Sequence, residues 1–266
     1  MNGKELFYRI EEKIPLKLAL PTDRVGYIGK KDPGDLEILR ILLLMDYYPE
    51  EGLDYTGYDL IVLHHPPRVP PLIPAYVIHS NWDLLYGGAC DALADCMKIS
   101  CTDVLDPATG LGRIGEIESG PILLSRFVRY VMRALKIGSV RTVNYSEDRL
   151  IFTVGLVSGF GLNQDLIRMA QHRGIDLYLS GDLTHPGAIL AKQSDLVLID
   201  ASHHATELPG LFRLGEVLSG LGVEVTVKDT GVPFGVYSDH YRPVSYLSTT
   251  LDREKSSVSW ETGYIS

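Results

Sequence analysis

The sequence predicts an α/β fold, and three observations carry that prediction. Short, uninterrupted apolar runs recur along the chain, as in strands buried on both faces. Segments with helical spacing lie between them, and Gly, Pro and Asp punctuate the changeovers. Strands alternating with helices give a largely buried sheet covered by helices.

The clearest strand runs are Ile41–Met45, Leu60–Leu63, Ile151–Val157, Leu177–Leu179 and Leu196–Ile199. Periodicity alone leaves the first of them equally readable as part of a buried helix. Among the helical segments, Ile122–Leu135 sets Ile122, Leu123, Phe127, Tyr130, Val131 and Leu135 on one face. Gln164–His172 follows Asn163, a residue type suited to the N-cap. Leucines at 211, 214, 218 and 221 mark one face of a helix over Leu211–Leu221. Ala89–Met97 follows Gly87-Gly88 and reads as the start of another.

Thr102–Gly120 is rich in Gly, Asp and Pro and lacks periodicity, which marks it as a boundary. The expected division is an N-terminal half, residues 1–118, and a C-terminal half, residues 119–266. An internal echo suggests duplication. Asp59–Leu63 runs into His64-His65, and Asp195–Ile199 is followed after a short gap by His203-His204. From Tyr241 onward the chain is Ser/Thr-rich and is expected to be a loosely packed extension.

With 266 residues, 45% hydrophobic and 22% charged, the chain has the composition of an ordinary globular protein. A formal charge of −9 disfavours a dedicated nucleic-acid binder, because such a surface repels phosphate backbones. Cys90, Cys96 and Cys101 are odd in number and lack C-x-x-C spacing. They read as small core residues in a reducing compartment, not as a disulfide framework or zinc site. Met1–Lys17 mixes charged and apolar residues, unlike a signal peptide, and Ile38–Met45 is too short to span a bilayer. The expected location is the cytoplasm, with no membrane association.

His64 and His65 end an apolar run and precede Pro66-Pro67, which stops the strand. Ligands of α/β sheets favour the carboxyl ends of strands. Two readings stand for the pair: metal ligands, or hydrogen-bonded histidines near the surface. His203 and Glu207 follow another apolar run at i, i+4 spacing, which on a helix shares one face and suits a divalent cation. Pro209 leaves two conformations open: a helix capped by Ser202, or a turn entering a helix near Leu208. If the segment is structural only, Glu207 merely complements a helix dipole. His204 points elsewhere from either conformation. Asp83, just before Gly87-Gly88, is a bridging carboxylate or a turn residue. Asp182 and His185 follow the run Leu177–Leu179 as further ligands, a base, or residues that orient the loop.

Together these pieces resemble the Nif-three-like dinuclear-metal family, often labelled GTP cyclohydrolase I type 2 homologues. The resemblance rests on four blocks in the family's order: Asp59–Pro66 (DLIVLHHP), His79–Ala94 (HSNWDLLYGGACDALA), Leu179–Ala191 (LSGDLTHPGAILA) and Ile199–Glu207 (IDASHHATE). It spans roughly residues 20 to 220. It implies metal ligands at His64, His65, Asp83, His203 and Glu207, with His79 and Asp182 as candidates to orient ligands or shuttle protons. It also implies two divalent ions per chain (Zn, Fe, Mn or Mg), a cleft between two similar α/β domains, and a homohexamer. This sequence departs from the family pattern at Ser80, at Ser202 in place of Gly, at His185-Pro186, and at Thr22–Gly26, where Trp-Asp-Asn-Val-Gly has become Thr-Asp-Arg-Val-Gly. No P-loop pattern is present, and Arg68 is a candidate phosphate contact.

The leading functional expectation is a dinuclear metal-dependent hydrolase acting on a small molecule, with purine-nucleotide ring opening as the specific form. The alternative is a metal-binding regulatory or scaffold protein without turnover. A calcineurin-like phosphoesterase ranks below both, because Trp82 stands where its essential histidine would and the block order is reversed.

Overall fold

The computed structural model describes residues 1–49 and 54–235, together with the backbone of residues 248–250. In chain order it begins with α1 (Gly3–Lys13), capped by the Asn2 side chain, which accepts from the Lys4 N–H. Then come β1 (Gly26–Ile28), β2 (Arg40–Leu44), β3 (Leu60–Leu63) and β4 (Ala75–Val77). α2 (Ser80–Leu84) and α3 (Ala89–Cys96) lead to β5 (Ile99–Asp103), β6 (Arg113–Ile117) and β7 (Ile122–Leu123). α4 (Leu124–Ala134), β8 (Arg141–Val143), β9 (Leu150–Ile151) and β10 (Thr153–Phe160) follow. The rest is α5 (Gln164–His172), β11 (Leu177–Gly181), α6 (His185–Lys192), β12 (Val197–Asp200), α7 (His203–Ser219), β13 (Glu224–Lys228) and β14 (Ser248–Thr250).

The fold is α/β, built on two six-stranded sheets. The first has the order β1-β4-β3-β2-β13-β14; its inner four strands are parallel and both edge strands antiparallel. The second has the order β5-β6-β10-β11-β12-β8, with β10, β11 and β12 parallel. β7 and β9 form a separate antiparallel pair. The inner strands are the apolar runs of the sequence, and β3 is buried at all four positions. Burial on both faces removes the alternation that would betray a half-exposed strand.

The sheets do not change over at residue 118. β5 and β6 already belong to the second sheet, and β13 and β14 return to the first. The second sheet is therefore nested, by sequence, inside the first. Thr102–Gly120, expected as a boundary, contains β6, whose Gly115 leaves no room for a Cβ against the Ser100 carbonyl. Ile122–Leu123, expected as the start of a helix, are extended and pair with β9 before α4 begins. Ile151–Val157 divides at Phe152 between β9 and β10.

α7 joins the two layers. Leu211, Leu214 and Leu218 pack in the core of the first sheet, while Ala205 packs in that of the second. Its helix starts at His203 and continues through Pro209, so His203 and Glu207 do lie on one helical segment. Gly210 allows α3 to come close: a Cβ there would lie 2.6 Å from that of Ala89. The Trp82 indole N–H donates to the Gly210 carbonyl at 3.1 Å, tying α2 to the same point. Of the cysteines, Cys90 is buried and Cys96 half-buried, but Cys101 is exposed on β5 and is not a core residue. Among the described residues no helix is long and apolar enough to cross a membrane. Residues 241–247 and 251–266, most of the expected loose extension, lie outside the described residues.

Candidate metal centre

The carboxyl ends of the parallel strands supply the site. Leu44 pairs with Leu63, and Leu63 with Val77. Extending both registers by two residues sets Asp46, His65 and His79 side by side at the edge of the first sheet. Backbone bonds from His65 N to Met45 O and from Ile78 N to Leu63 O carry the ladder toward that edge. The second sheet brings β10 with Ser158 and Gly159, β11 with Asp182 just beyond it, and β12 leading into α7. Asp83 enters from α2.

All five expected ligands meet there. His64 Nε2 lies 3.5 Å from Glu207 Oε1 and 3.7 Å from Asp83 Oδ1. His65 Nε2 lies 3.2 Å from Glu207 Oε2, and His203 Nε2 3.0 Å from Glu207 Oε1. The His65 and His203 Nε2 atoms are 3.2 Å apart. His79 joins the edge of the group, its ring 5.2 Å from that of His64 and 5.3 Å from that of His65. His204 turns away and bonds Asp229 Oδ1 at 2.7 Å. His185 is exposed at the start of α6, and Arg68 is exposed on the loop after Pro67.

Each imidazole is held from behind. His64 Nδ1 donates to the Ile78 carbonyl at 2.9 Å. The other three face carboxylates through Nδ1: His65 at Asp46 (3.0 Å), His79 at Asp23 (2.9 Å) and His203 at Asp182 (2.6 Å). An acceptor at Nδ1 assigns the proton to that nitrogen and turns the Nε2 lone pair inward. This backing by carboxylate or carbonyl is the usual support of metal-ligating histidine. Asp23 also accepts from the Ser80 N–H and hydroxyl, which fixes the start of α2 and hence Asp83.

Three observations test whether these residues fit a divalent cation. First, His64 Nε2 and Glu207 Oε2 are buried without a hydrogen-bond partner among the described residues. Glu207 Oε2 is near His65 Nε2, but the angles do not make a hydrogen bond. Second, two lone pairs facing each other at 3.2 Å across His65 and His203 repel unless a proton or cation lies between them. Third, Gly159 has φ +75°, and a Cβ on it would sit 2.1 Å from Glu207 Oε1 and 3.2 Å from His203 Nε2. The absent side chain leaves space where those donors point. Donor separations of roughly 3–4 Å are those of atoms sharing one cation at bond lengths near 2 Å. Two overlapping donor groups could each hold an ion: His64, His65 and His79, and His65, His203 and Glu207. The residues fit.

Without a cation the cluster holds protons instead. Burial alone would lower the His65 pKa, but the bond to Asp46 and the charge of the adjacent Glu207 outweigh it and raise it to about 10. His203 is raised to about 9 in the same way, against burial, by Glu207 and Asp182. Burial lifts Asp83 to about 6, with His64 opposing and Glu207 adding to the rise. Glu207 is held well below the usual carboxylate range, because the surrounding imidazoles outweigh its burial. His79 is lowered, chiefly by burial and then by His64, so its ring stays neutral near pH 7.

Ser202 has φ 68° and ψ 152°, a backbone region that suits glycine. Its hydroxyl accepts from the Ala205 N–H and caps α7. Buried Asp200 accepts from the Leu183 and Ser202 N–H groups, joining the loops that carry Asp182 and His203. Asp46, Asp23 and Gly159 escaped the sequence reading. The signals present were an acid two residues past a strand, an acid kept in the eroded Thr22–Gly26 segment, and the Gly159-Phe160-Gly161 run ending β10.

The family whose sequence model matches this chain is Duf34/NIF3 (NGG1p interacting factor 3), over residues 69–231. A "GTP cyclohydrolase 1 type 2 homolog" of Methanothermobacter thermautotrophicus is 48% identical over 229 residues, which cover 85% of this chain and 92% of that protein. The protein of the same name from Methanocaldococcus jannaschii is 29% identical, covering 86% of this chain and all of the other. Among solved structures, reduced HcgD from Methanocaldococcus jannaschii superposes with a TM-score of 0.72 at 29% identity, over 85% of this chain and 97% of its own. A Bacillus cereus protein related to NIF3 shares the fold at a TM-score of 0.72 and 17% identity, over 92% and 99% of the two chains. By the match of its sequence over more than half its length and by its close relative, the chain belongs to the Duf34/NIF3 family.

Proposed function

We propose that the chain binds two divalent metal ions and uses them to hydrolyse a small-molecule substrate. The observation that carries this reading is the inward Nε2 set: imidazoles braced at Nδ1, closing on buried Asp83 and Glu207, with His64 Nε2 and Glu207 Oε2 left unpaired among the described residues. His64, His65 and Asp83 from one side, and His203 and Glu207 from the other, would hold the ions, with Glu207 facing His64, His65 and His203. Bound there, divalent ions would supply Lewis-acid activation of water and stabilisation of a developing oxyanion.

The chain's own residues do the rest. Asp46 and Asp182 orient His65 and His203. Asp23 orients His79, whose neutral ring stands beside the ligands as a candidate to accept or pass a proton. His65 and His203 are partly open to solvent while His64 and Glu207 are buried, so one side of the cluster is accessible. An open side is what a catalytic centre needs and a purely structural one lacks. The names of the relatives point to GTP-cyclohydrolase-like opening of a purine ring as the specific reaction, and a homohexamer is part of the same family expectation.

The test is turnover by protein loaded with Zn²⁺, Mn²⁺ or Fe²⁺, on GTP and a panel of other nucleotides and small esters. Hydrolysis abolished by Glu207→Gln supports the reading. Full metal loading with no turnover on any of them replaces it with a non-catalytic metal-binding role.

A further inference from the structure

We infer that Arg24, assisted by Arg68, binds an oxyanion of the substrate, a phosphate or carboxylate, at the rim of this site. The inference rests on the metal-site reading above and names the substrate class that reading leaves open. Gly26 pairs antiparallel with Val77, so the chain entering β1 at Arg24 and the chain leaving β4 at His79 lie at the same end of the sheet. The parallel pairing of Leu63 with Val77 sets His79 level with His65. Asp46, His65 and His79 form one row past the ends of β2, β3 and β4, and Arg24 precedes β1, the edge strand beside β4, at the near end of that row. Side-chain bonds confirm the near end of that row. Asp23 Oδ1 accepts from His79 Nδ1 at 2.9 Å and from the Arg24 backbone N–H at 2.8 Å. The Arg24 backbone and the His79 ring therefore share one acceptor atom. Arg68 lies on the loop that leaves the same edge three residues after His65.

Charge and position together single these residues out. Seven other arginines form ion pairs with carboxylates, as most cations do on so acidic a chain. Six exposed arginines form none among the described residues, and of these Arg24 adjoins Asp23 and Arg68 follows His65 by three residues, whereas Arg40, Arg126, Arg129 and Arg133 adjoin no residue of the cluster in sequence. The carboxylates that back the neighbouring imidazoles are committed elsewhere: Asp23 to His79 and Ser80, Asp46 to His65. An exposed, unpaired guanidinium on a residue adjoining the cluster is available for bidentate recognition of an oxyanion. It also places a positive charge where the acidic surface would otherwise repel an anionic substrate.

The experiment titrates inorganic phosphate and malonate into zinc-loaded protein by calorimetry, with metal content measured on each sample. The variants are Arg24→Ala, Arg24→Lys, Arg68→Ala and, as a control for net charge, Arg126→Ala on α4. Arg24→Ala should keep the wild-type metal content and weaken anion binding at least about fivefold, with Arg24→Lys between the two. Arg68→Ala should weaken it less, and Arg126→Ala not at all. The stronger of the two probes identifies the group as phosphate or carboxylate. Equal affinity in wild type and Arg24→Ala, or an equal loss in Arg126→Ala, overturns the inference. Wild-type protein that takes up no zinc defeats the metal reading separately, and the same titration then still decides whether Arg24 binds the anion.

Discussion

Gly159→Ala is the most direct test of whether the space inside the cluster is reserved. The added Cβ would sit 2.1 Å from Glu207 Oε1 and 3.0 Å from its Cδ, both far inside van der Waals contact. Glu207 is buried, and its carboxylate can retreat only by leaving its place among His64, His65 and His203, so the usual overpacking cost of about 1–3 kcal/mol applies. Holding alanine at φ +75° adds about 1–2 kcal/mol. The reduced entropy of the unfolded chain returns about 0.5–1 kcal/mol. The net expectation is a loss of about 1–4.5 kcal/mol, measured by urea unfolding of metal-free protein, with m unchanged. Metal uptake should fall too, because the methyl group lies between the Glu207 and His203 donors. A loss under about 0.5 kcal/mol with wild-type metal uptake would refute the reasoning, since the strand end would then be free to move.

Other perturbations test other parts of the account. Ser202→Gly should stabilise the metal-free fold by up to about 1–2 kcal/mol, because relief at φ 68° exceeds the few tenths lost from the cap; a midpoint shifted downward in urea would contradict it. Asp182→Ala should leave stability nearly unchanged but weaken metal affinity about 10–100-fold by freeing His203 Nδ1, as competition with a chelator would read. Asp176 accepts from the Phe152 and Thr153 N–H groups and the Thr153 hydroxyl, and these outweigh burial to keep its pKa low. Asp176→Asn should therefore cost about 1 kcal/mol at pH 7. A lowered folded pKa gives stability that is present above the unfolded value near 3.9 and lost as pH falls through the folded value. The gap between wild type and Asp176→Asn should accordingly close below about pH 4, and a gap constant with pH would contradict the assignment.

The sequence made the inner strands legible for a physical reason. Parallel strands buried on both faces must be continuous apolar runs, and Leu60–Leu63 and Leu177–Leu179 are that. Gln164–His172 was readable because Asn163 caps it and its apolar face is regular. The edges were harder. Arg113–Ile117 contains two charged residues, one of them Arg113, buried through its pair with Asp91. Its strand character comes from pairing with β5 and β10, which no local pattern announces. The extent of α7 was left open by Pro209, and the decision came from the buried leucines beyond it and the Ser202 cap. The five candidate ligands were legible as residue types at strand ends. Of their carboxylate supports only Asp182 was, because Asp46 and Asp23 meet the imidazoles only through contacts between segments distant in sequence.

The nesting of the second sheet within the first has a consequence for how the centre is assembled. His64, His65 and Asp83 precede the nested segment, whereas His203 and Glu207 open the helix that leads out of it back to the first sheet. Loop closure over that long segment must be complete before Glu207 reaches His64. Cation binding would add its free energy to the folded state alone and so stabilise the join between the two sheets.

The central claim is that these donors form a centre for two divalent ions. The measurement that tests it most directly is metal content per chain, on protein purified without a histidine tag, for wild type, His65→Ala and Glu207→Gln. The account predicts two equivalents in wild type and a clear reduction in both variants. No bound metal in wild type, even after loading with Zn²⁺ or Mn²⁺, would contradict it.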